Sequence, residues 1–397
     1  MSGRPKVLHL IDNLGMGGAE TWLIALLRHW GERGEAAPQT EFLATSGQPG
    51  FYDDEARSLG AVVHYVRYGR DRLPQFIGDF RRILRHGRYA ALHDHQDFTS
   101  GWHFLMGAGL LPPVRITHVH NQYAHIAANY LTSPSRRRAA AVGRSLISRY
   151  GTYVAGTSAQ SLRDYAFDRL KGPRGPIPSG PIYCGFDPAR FAGDAQTARA
   201  VLRGQFGWPA ETRVVLFVGR VDDSPDLGHP LNQKNSGFAA DVAIRLARQD
   251  KSVRCLFVGN PGGGTPVLQG RVCAAGLAGR IVFAGRRRDV DTLMLGADVL
   301  LFPSQTEGLG MVAVEAQAAG LPVLASTAVP RECVVVPSLV QFKDVADGAG
   351  AWAAALGPLI DQPRDRAAAN RSVAASPYAI ASSAAALEVL YAGGARP

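Results

Sequence analysis

The sequence predicts an α/β protein of two doubly wound parallel-sheet domains. Three observations carry that expectation. Short runs rich in Val, Ile and Leu alternate with segments of helical periodicity, the pattern of parallel strands covered by helices on both faces. The alternation runs through the first half of the chain and restarts after residue 211, and 397 residues is enough for about two to three domains. Between the two runs, 171–211 carries Pro173, Pro176, Pro178, Pro181 and Pro188 among glycines, which reads as an inter-domain hinge.

In the first half, strands are expected at 6–11, 39–44, 61–66, 90–93, 114–118, 152–156 and 181–183. A helix is expected over 19–30, because Trp22, Leu23, Leu26, Leu27 and Trp30 recur at helical spacing. The second half opens with a strand at 214–219 that ends in Gly219. Helix 236–249, strand 253–258, helix 266–276 and strand 281–283 follow, then helix 289–296, strand 298–302, helix 311–319 and strand 322–325. The tail 351–397 is Ala-rich and helical, with a break near Ser376-Pro377. Ligands of open α/β sheets bind at the carboxyl ends of the strands, so a cleft between two such domains is the expected site.

Composition excludes several classes. Hydrophobic residues make up 46% and charged residues 19%, which rules out a disordered, collagenous or coiled-coil chain. No stretch approaches the roughly 18 apolar residues of a membrane span, and the first strand begins almost at once, without the pattern of a signal peptide. Cys184, Cys255, Cys273 and Cys333 lack metal or redox spacing and read as buried thiols of a cytoplasmic protein. The formal charge of +10 is mostly arginine, and the Arg and Ala richness suits a GC-rich bacterial coding sequence. Such a charge fits a phosphate-bearing ligand, a nucleic acid or an anionic membrane without choosing among them. The runs Arg136-Arg137-Arg138 and Arg286-Arg287-Arg288 read most simply as solvated surface.

The strongest local signal runs from Phe302 to Val323 as strand, Gly-rich loop, helix, Gly320, Pro322 and strand. Gly308 and Gly310 remove side chains where backbone can approach a ligand. The free N–H groups of 309–312 open a helix, a terminus that favours an anion such as a diphosphate. Glu307 stands in the loop and Glu315 follows eight residues later, inside a small and apolar helix. A carboxylate there must be solvated, paired or liganded, and a ribose or sugar diol supplies two hydroxyl donors. The plainer reading has Glu307 as a cap and Glu315 as a surface residue.

The segment 302–323 resembles the E-x7-E signature of the family 4 retaining glycosyltransferases, which have the GT-B fold. Asn13-Leu14-Gly15-Met16-Gly17-Gly18-Ala19-Glu20 is similar to that family's N-terminal Gly-Gly-Ala-Glu loop. Val218-Gly219-Arg220 with the later Gln233-Lys234-Asn235 resembles its Gly-Arg and Lys-Asn pair. Phe51-Tyr52-Asp53-Asp54-Glu55 and His118-Val119-His120-Asn121 are similar to bacterial exopolysaccharide and capsule transferases in particular. The resemblance covers about 7–335.

The resemblance implies a GT-B architecture of two Rossmann-like domains facing across a cleft. Residues 1–185 with 376–397 would form the acceptor-side domain, the last helix crossing back to it, and 186–375 the donor-binding domain. It implies transfer of a sugar from a nucleoside-diphosphate sugar to an acceptor hydroxyl with retention, in exopolysaccharide, capsule or lipopolysaccharide assembly. Glu315 would hold the ribose hydroxyls and Glu307 would face the donor sugar. Gly308, Leu309, Gly310 and Met311 would line sugar and phosphate with their backbone. Arg220 and Lys234 would clamp the diphosphate, where charge builds as the glycosidic bond breaks. Gly17 and Gly18 would let the first domain's loop approach the sugar-phosphate. One of His118 and His120 would sit at the sugar, His120 being favoured and His118 then lying on the acceptor side with His95.

The chain departs from the family in two places. It inserts Val221 to Gln233, including Pro225, Gly228 and Pro230, ahead of Lys234, and it has Gly310 where exopolysaccharide relatives often have Pro. No metal and no cofactor are expected. Asp289-Val290-Asp291 imitates a metal-binding D-x-D but opens a helix, where capping is the simpler account. The histidines at 93, 95, 118, 120 and 125 lack i, i+4 spacing with a Glu between. Gly15, Gly17 and Gly18 do not complete a dinucleotide fingerprint, because position 20 is Glu20. Gly262-Gly263-Gly264 reads as a loose loop. The expected acceptor is a glycan, a lipid-linked sugar or a small molecule. Arg136, Arg137, Arg138, Arg144 and Arg149 suggest peripheral contact with an anionic membrane at its cytoplasmic face. Three alternatives stay open. They are a glycosyltransferase of secondary metabolism, a nucleotide-sugar epimerase of the same architecture, and a non-catalytic nucleic-acid-binding protein, for which no aromatic-rich basic motif is present.

Overall fold

The computed structural model describes residues 4–34, 37–224, 226, 229 and 232–393. The chain separates into two compact units, one running to Phe186 and taken up again from Pro377, the other Asp187–Ser376.

The first unit is a seven-stranded sheet in the order β3-β2-β1-β4-β5-β6-β9, parallel throughout. Its main strands are β1 (Lys6–Ile11), β2 (Gln39–Ala44), β3 (Val62–Tyr65), β4 (Ala91–Asp94), β5 (Val114–Val119) and β6 (Tyr153–Gly156). A two-stranded antiparallel ribbon, β7 (Lys171–Gly172) and β8 (Gly175–Pro176), precedes β9 (Ser179–Pro181). The expected strand at 181–183 therefore lies two residues earlier. Helices α1 (Gly18–Glu32), α2 (Asp53–Ser58), α3 (Leu73–Gly87), α4 (Thr99–Met106), α5 (Tyr123–Asn129), α6 (Pro134–Tyr150) and α7 (Ala159–Asp164) fill the crossovers. Trp22, Leu23, Leu26, Leu27 and Trp30 are all buried, as the periodicity of α1 requires.

The second unit opens with α8 (Ala195–Gln205), inside the stretch expected to be a hinge. Asp194 starts it by accepting from the amides of Gln196 and Thr197, a local signal masked by the surrounding prolines and glycines. A six-stranded parallel sheet follows in the order β12-β11-β10-β13-β14-β15. Its strands are β10 (Arg213–Val218), β11 (Val253–Val258), β12 (Ile281–Phe283), β13 (Val299–Phe302), β14 (Val323–Ser326) and the unforeseen edge strand β15 (Val340–Lys343). Helices α9 (Ser236–Gln249), α10 (Thr265–Ala274), α11 (Val290–Gly296), α12 (Met311–Ala318), α13 (Gly348–Ile360) and α14 (Arg366–Ala374) cover it. Val215, Phe217, Phe257, Val299 and Leu301 pack under α9 and α13 with Phe238 and Trp352.

In both sheets the strand order reverses beside the first strand, between β1 and β4 and between β10 and β13. Loops at the carboxyl ends of those strands diverge and leave room for a ligand. The last helix, α15 (Ile380–Tyr391), packs on α1 in the first unit. Trp22 Nε1 donates to Ser383 Oγ at 2.8 Å, and Trp30 Nε1 to Glu388 Oε1 at 2.9 Å. No described helix is long and apolar enough to cross a membrane.

Candidate functional site

In the second unit the chemistry gathers where β10 and β13 end. Beyond β10 the chain turns through Gly219 and Arg220, and Arg220 is exposed, its guanidinium making no hydrogen bond or ion pair among the described residues. Gly259, at φ 148, has to be a glycine, since a Cβ there would meet the Gly219 carbonyl at 2.0 Å.

Asp222, fully buried, holds the return of the chain. Its Oδ1 accepts from the Lys234 amide at 3.0 Å and its Oδ2 from the Ser236 amide and hydroxyl at 2.9 and 3.1 Å. Asn235 takes a left-handed conformation at φ 58, which asparagine tolerates, and donates to the Pro303 carbonyl at 3.1 Å. The Gln305 amide donates to Gln233 O at 2.9 Å. Together these tie the 233–235 segment to the loop after β13. Lys234 Nζ then reaches Glu307 Oε1 at 2.7 Å, and Glu307 is 6% exposed. The sequence separates these two residues by 73 positions.

Gly310 caps α12 at φ 92, a conformation that favours glycine. A Cβ there would also crowd Phe302 and Val329 at 3.1 and 3.0 Å. Gly308 and Met311 are half-buried, while the Leu309 side chain is 3% exposed, so Leu309 can offer only its backbone. One turn on, Glu315 is half-buried. Burial pushes its carboxyl up to about 7, Asp291 adds to the rise and Arg190 opposes it. Gly262-Gly263-Gly264 is not loose. The Gly264 amide donates to Asp222 O and the Gly263 amide to Asp223 Oδ1 at 2.9 Å.

The Asp289 capping expectation fails, because Asp289 stands at the N-cap without a side-chain cap bond. Arg287 takes its carboxylate instead, at 2.8 Å through Nε. Arg190 takes Asp291, at 2.9 Å. Both carboxylates of the D-x-D look-alike are thus engaged by guanidinium groups. Among the cysteines, Cys273 is exposed and the other three are buried, a partial correction of the buried-thiol expectation. Of the 221–233 insertion, Pro225, Gly228 and Pro230 lie outside the described residues.

In the first unit, Gly17 caps α1 and Gly18 is exposed, with nothing within 4 Å of where its Cβ would stand. His95, His118 and His120 come together with His93 on β4, weighed in the sequence only as a metal ligand, and with His9 on β1, which no motif singles out. His9 faces His93 in the β1–β4 register. Side chains two apart share a face of a strand, so His93 with His95 and His118 with His120 line one face beside His9. His95 Nδ1 lies 2.8 Å from His120 Nε2, His9 Nδ1 lies 3.0 Å from His95 Nε2, and His93 Nε2 lies 3.1 Å from His118 Nδ1. His118 has no exposed surface, so it cannot face an acceptor as expected, and His95 is 8% exposed. His120 alone of the five is half-buried and reaches the surface of its unit. Burial pushes His9 and His120 down to about 3 and His93, His95 and His118 well below the ordinary histidine value.

Ligand atoms of His9, His93 and His95, and of His95, His118 and His120, lie within 4.8 Å of one another, which is within reach of a metal ion. Nitrogens of a tetrahedral zinc site stand about 3.3 Å apart. Within these groups the His9–His95 and His95–His120 nitrogens lie 3.0 and 2.8 Å apart, a spacing that hydrogen bonds fill.

Two family models match the chain, Glycosyltransferase Family 4 over residues 16–190 and Glycosyl transferases group 1 over 212–362. EpsF of Bacillus subtilis (strain 168), assigned as a glycosyltransferase, is 27% identical over 354 residues, covering 89% of this chain and 87% of its own. The D-inositol 3-phosphate glycosyltransferase of Mycobacterium tuberculosis is 33% identical over 195 residues, which is 44% of this chain and 37% of that enzyme. Among solved structures, Anabaena HepE in complex with UDP and glucose superposes with a TM-score of 0.71 at 19% identity, covering 98% of this chain and 100% of that one. WaaG, a glycosyltransferase involved in lipopolysaccharide biosynthesis, superposes with a TM-score of 0.72 at 16% identity over the same shares.

Proposed function

Because the chain belongs to the family 4 glycosyltransferases of the GT-B fold, we propose a specific course for its sugar transfer and a place for it in the cell. A nucleoside-diphosphate sugar is the donor and a hydroxyl of a growing bacterial exopolysaccharide, capsule or lipopolysaccharide is the acceptor. The kinship with EpsF and the likeness to WaaG and HepE support this reading. The single observation that carries it is the Lys234–Glu307 pair at 2.7 Å beside the Gly310-capped helix. Charge-stabilising and sugar-facing groups thereby meet at the reversal of the second sheet.

The donor's diphosphate lies at the first turn of α12, with Arg220 and Lys234 beside it. Lys234 is held by Glu307 until the diphosphate competes for its ammonium. As the anomeric carbon–oxygen bond breaks, the diphosphate gains negative charge, which Arg220, Lys234 and the α12 amides stabilise. The acceptor hydroxyl then attacks the same face and passes its proton to the departing diphosphate. The configuration is retained without a protein nucleophile. Glu315 accepts hydrogen bonds from the ribose hydroxyls. No metal takes part, a view supported by Asp289 and Asp291 being spent on Arg287 and Arg190. Full activity in chelator is expected, and loss in chelator restored by manganese or magnesium would overturn it.

Peripheral contact with an anionic membrane at its cytoplasmic face belongs to the same reading. Arg136, Arg137, Arg138 and Arg149 on α6 are exposed, and Tyr130 beside them is 58% exposed. Arg144 leaves this set, because it is half-buried and donates to the Tyr165 and Ala166 carbonyls at 3.1 and 2.9 Å. Each basic residue near such a surface contributes about 1 kcal/mol. Salt-reversible binding to anionic vesicles is expected, and equal binding to neutral ones would count against it.

The reaction is tested by following donor and glycoside together with anomeric configuration by NMR. Glycoside of retained configuration, formed only with acceptor, is expected. Donor converted to an isomeric sugar nucleotide without glycoside would instead place the chain among the epimerases.

A further inference from the structure

Five histidines of the first unit and Tyr391 of α15 make one hydrogen-bonded row. His120 Nε2 lies 2.8 Å from His95 Nδ1, and His95 Nε2 lies 3.0 Å from His9 Nδ1. His9 Nε2 lies 3.4 Å from the Tyr391 hydroxyl, which lies 2.8 Å from His93 Nδ1. His93 Nε2 lies 3.1 Å from His118 Nδ1. The row is open at one end, where His120 Nδ1 faces Cys184 Sγ at 4.0 Å. It is closed at the other, where His118 Nε2 is buried without a hydrogen-bond partner among the described residues.

Atoms this close need one hydrogen between them, since two lone pairs or two N–H groups would repel. A neutral imidazole carries one N–H and one lone pair, and a phenol can donate and accept at once. The rings are neutral by their surroundings. His9, His93 and His118 have no exposed surface, and among the described residues the five rings bond to one another, to Tyr391 and to Cys184, never to a carboxylate. The order of the atoms then decides the rest. Every ring-to-ring link joins Nε2 of one histidine to Nδ1 of another, and the Tyr391 oxygen stands between His9 Nε2 and His93 Nδ1. With hydrogen on Nε2 of His120, the rings of His95, His9, His93 and His118 carry theirs on Nε2 as well. With hydrogen on Nδ1 of His120, all the others follow on Nδ1. A single ring out of step leaves a link with no hydrogen or with two, a buried bond unmade at a cost of about 1–3 kcal/mol.

We propose that the five histidines share one tautomer, and that the Tyr391 hydroxyl makes the His120–His95–His9 segment agree with the His93–His118 segment. Tyr391 is thereby a positioning residue, supplied by the C-terminal helix from the far end of the sequence. It ties the nitrogen that His120 presents at the open end to rings that never reach the surface. The use of this device in the reaction rests on the reading that His120 meets the donor sugar. There the row as a whole, and not His120 alone, decides whether a sugar hydroxyl has to donate or accept. The sulfur contact at Nδ1 is long enough for such a hydroxyl to displace it, and a thiol serves either sense.

The test is nitrogen-15 NMR of the full chain with labelled histidine at neutral pH, in the wild type and in Tyr391→Phe, which keeps the ring and removes only the hydroxyl. In the wild type the same nitrogen should carry the hydrogen in all five rings, or the two forms should stand in one proportion throughout. In Tyr391→Phe the segments should part. His120, His95 and His9 should still agree with one another, and His93 with His118, but the two proportions should differ. Wild-type rings of unlike tautomer, or protonated on both nitrogens, overturn the proposal. Five rings still in one proportion in Tyr391→Phe overturn the role of Tyr391. The wild-type spectrum decides the shared tautomer even where the variant folds poorly, and the readout needs no turnover. Sugar transfer surviving His120→Ala would sink the reading that His120 meets the sugar while leaving the tautomer result standing.

Discussion

At Glu307 and Glu315 the structure separates two carboxylates that the signature presents as a pair. Glu307 is bound to a cation and Glu315 has its charge opposed by burial. Glu315→Ala should weaken the bare nucleoside diphosphate about tenfold to a hundredfold, the worth of hydrogen bonds to a charged group. Glu307→Ala frees Lys234, so affinity for that ligand should stay level or rise while turnover falls. Calorimetry on both variants decides it, and a weaker nucleoside diphosphate in Glu307→Ala than in Glu315→Ala would reverse the two roles. Burial pushes the Glu315 carboxyl up to about 7, and in the proposed role only its ionised form would accept from both ribose hydroxyls. Wild-type affinity should therefore decline as pH falls through about 7, and Glu315→Gln should lose that part of the pH dependence. Asp222 belongs at this scale too. Asp222→Ala strands the buried amide of Ser236, at about 1–3 kcal/mol, and releases the half-buried amide of Lys234. The variant should melt earlier and also bind nucleoside diphosphate less tightly, because Lys234 loses its anchor.

Between α4 and α6, two glycines let helices touch through their backbones. A Cβ on Gly101 would meet the Gly143 carbonyl at 2.0 Å, and one on Gly143 would meet Phe98 O at 2.3 Å. Neither obstacle is a flexible side-chain end, so relief requires the helices to part. Gly101→Ala should therefore cost at least the roughly 1–3 kcal/mol of ordinary overpacking, and Gly18→Ala, which meets nothing within 4 Å, should be nearly neutral. Thermal denaturation of the two variants side by side measures this. Equal melting temperatures would show that α4 and α6 can shift without loss.

Over the whole molecule, acid should attack the first unit before the second. His9, His93 and His118 have no exposed surface and His95 is 8% exposed, all with their protonation disfavoured by burial. Their folded-state values lie below the ordinary 6.5, so below that pH the unfolded chain binds more protons than the folded one. Stability from this source is complete above about 6.5 and drains away as pH falls toward the folded values. At pH 5 an imidazole still neutral when folded costs about 2 kcal/mol, an upper bound for each. Four of them approach the whole stability of an ordinary domain. Hydrogen exchange near pH 5 should show β1, β4 and β5 opening before β10 and β13. Simultaneous opening of both sheets would contradict this ordering.

Much of the fold is legible in the sequence. Helix 236–249 and strands 6–11, 39–44, 253–258 and 281–283 stand as read, because their apolar residues recur with the period of the element. α8 and β15 escaped, one hidden among prolines and glycines, the other a short edge strand of mixed polarity. In the candidate site, the Gly-rich loop and the two carboxylates are contiguous in sequence and could be seen there. Asp222 carries no motif, and its role exists only where the chain returns to it. The histidines were weighed at helical spacing, whereas on adjacent parallel strands the period is two. The pairs at 93 and 95 and at 118 and 120 were therefore the available signal. Local periodicity and turn chemistry, written within a few residues, were what the sequence by itself determined about this protein. The pairing of Lys234 with Glu307, the five-histidine chain and its closure by Tyr391 join residues 25 to 382 positions apart. Only strand order and register decide such neighbours, because they depend on where the backbone returns.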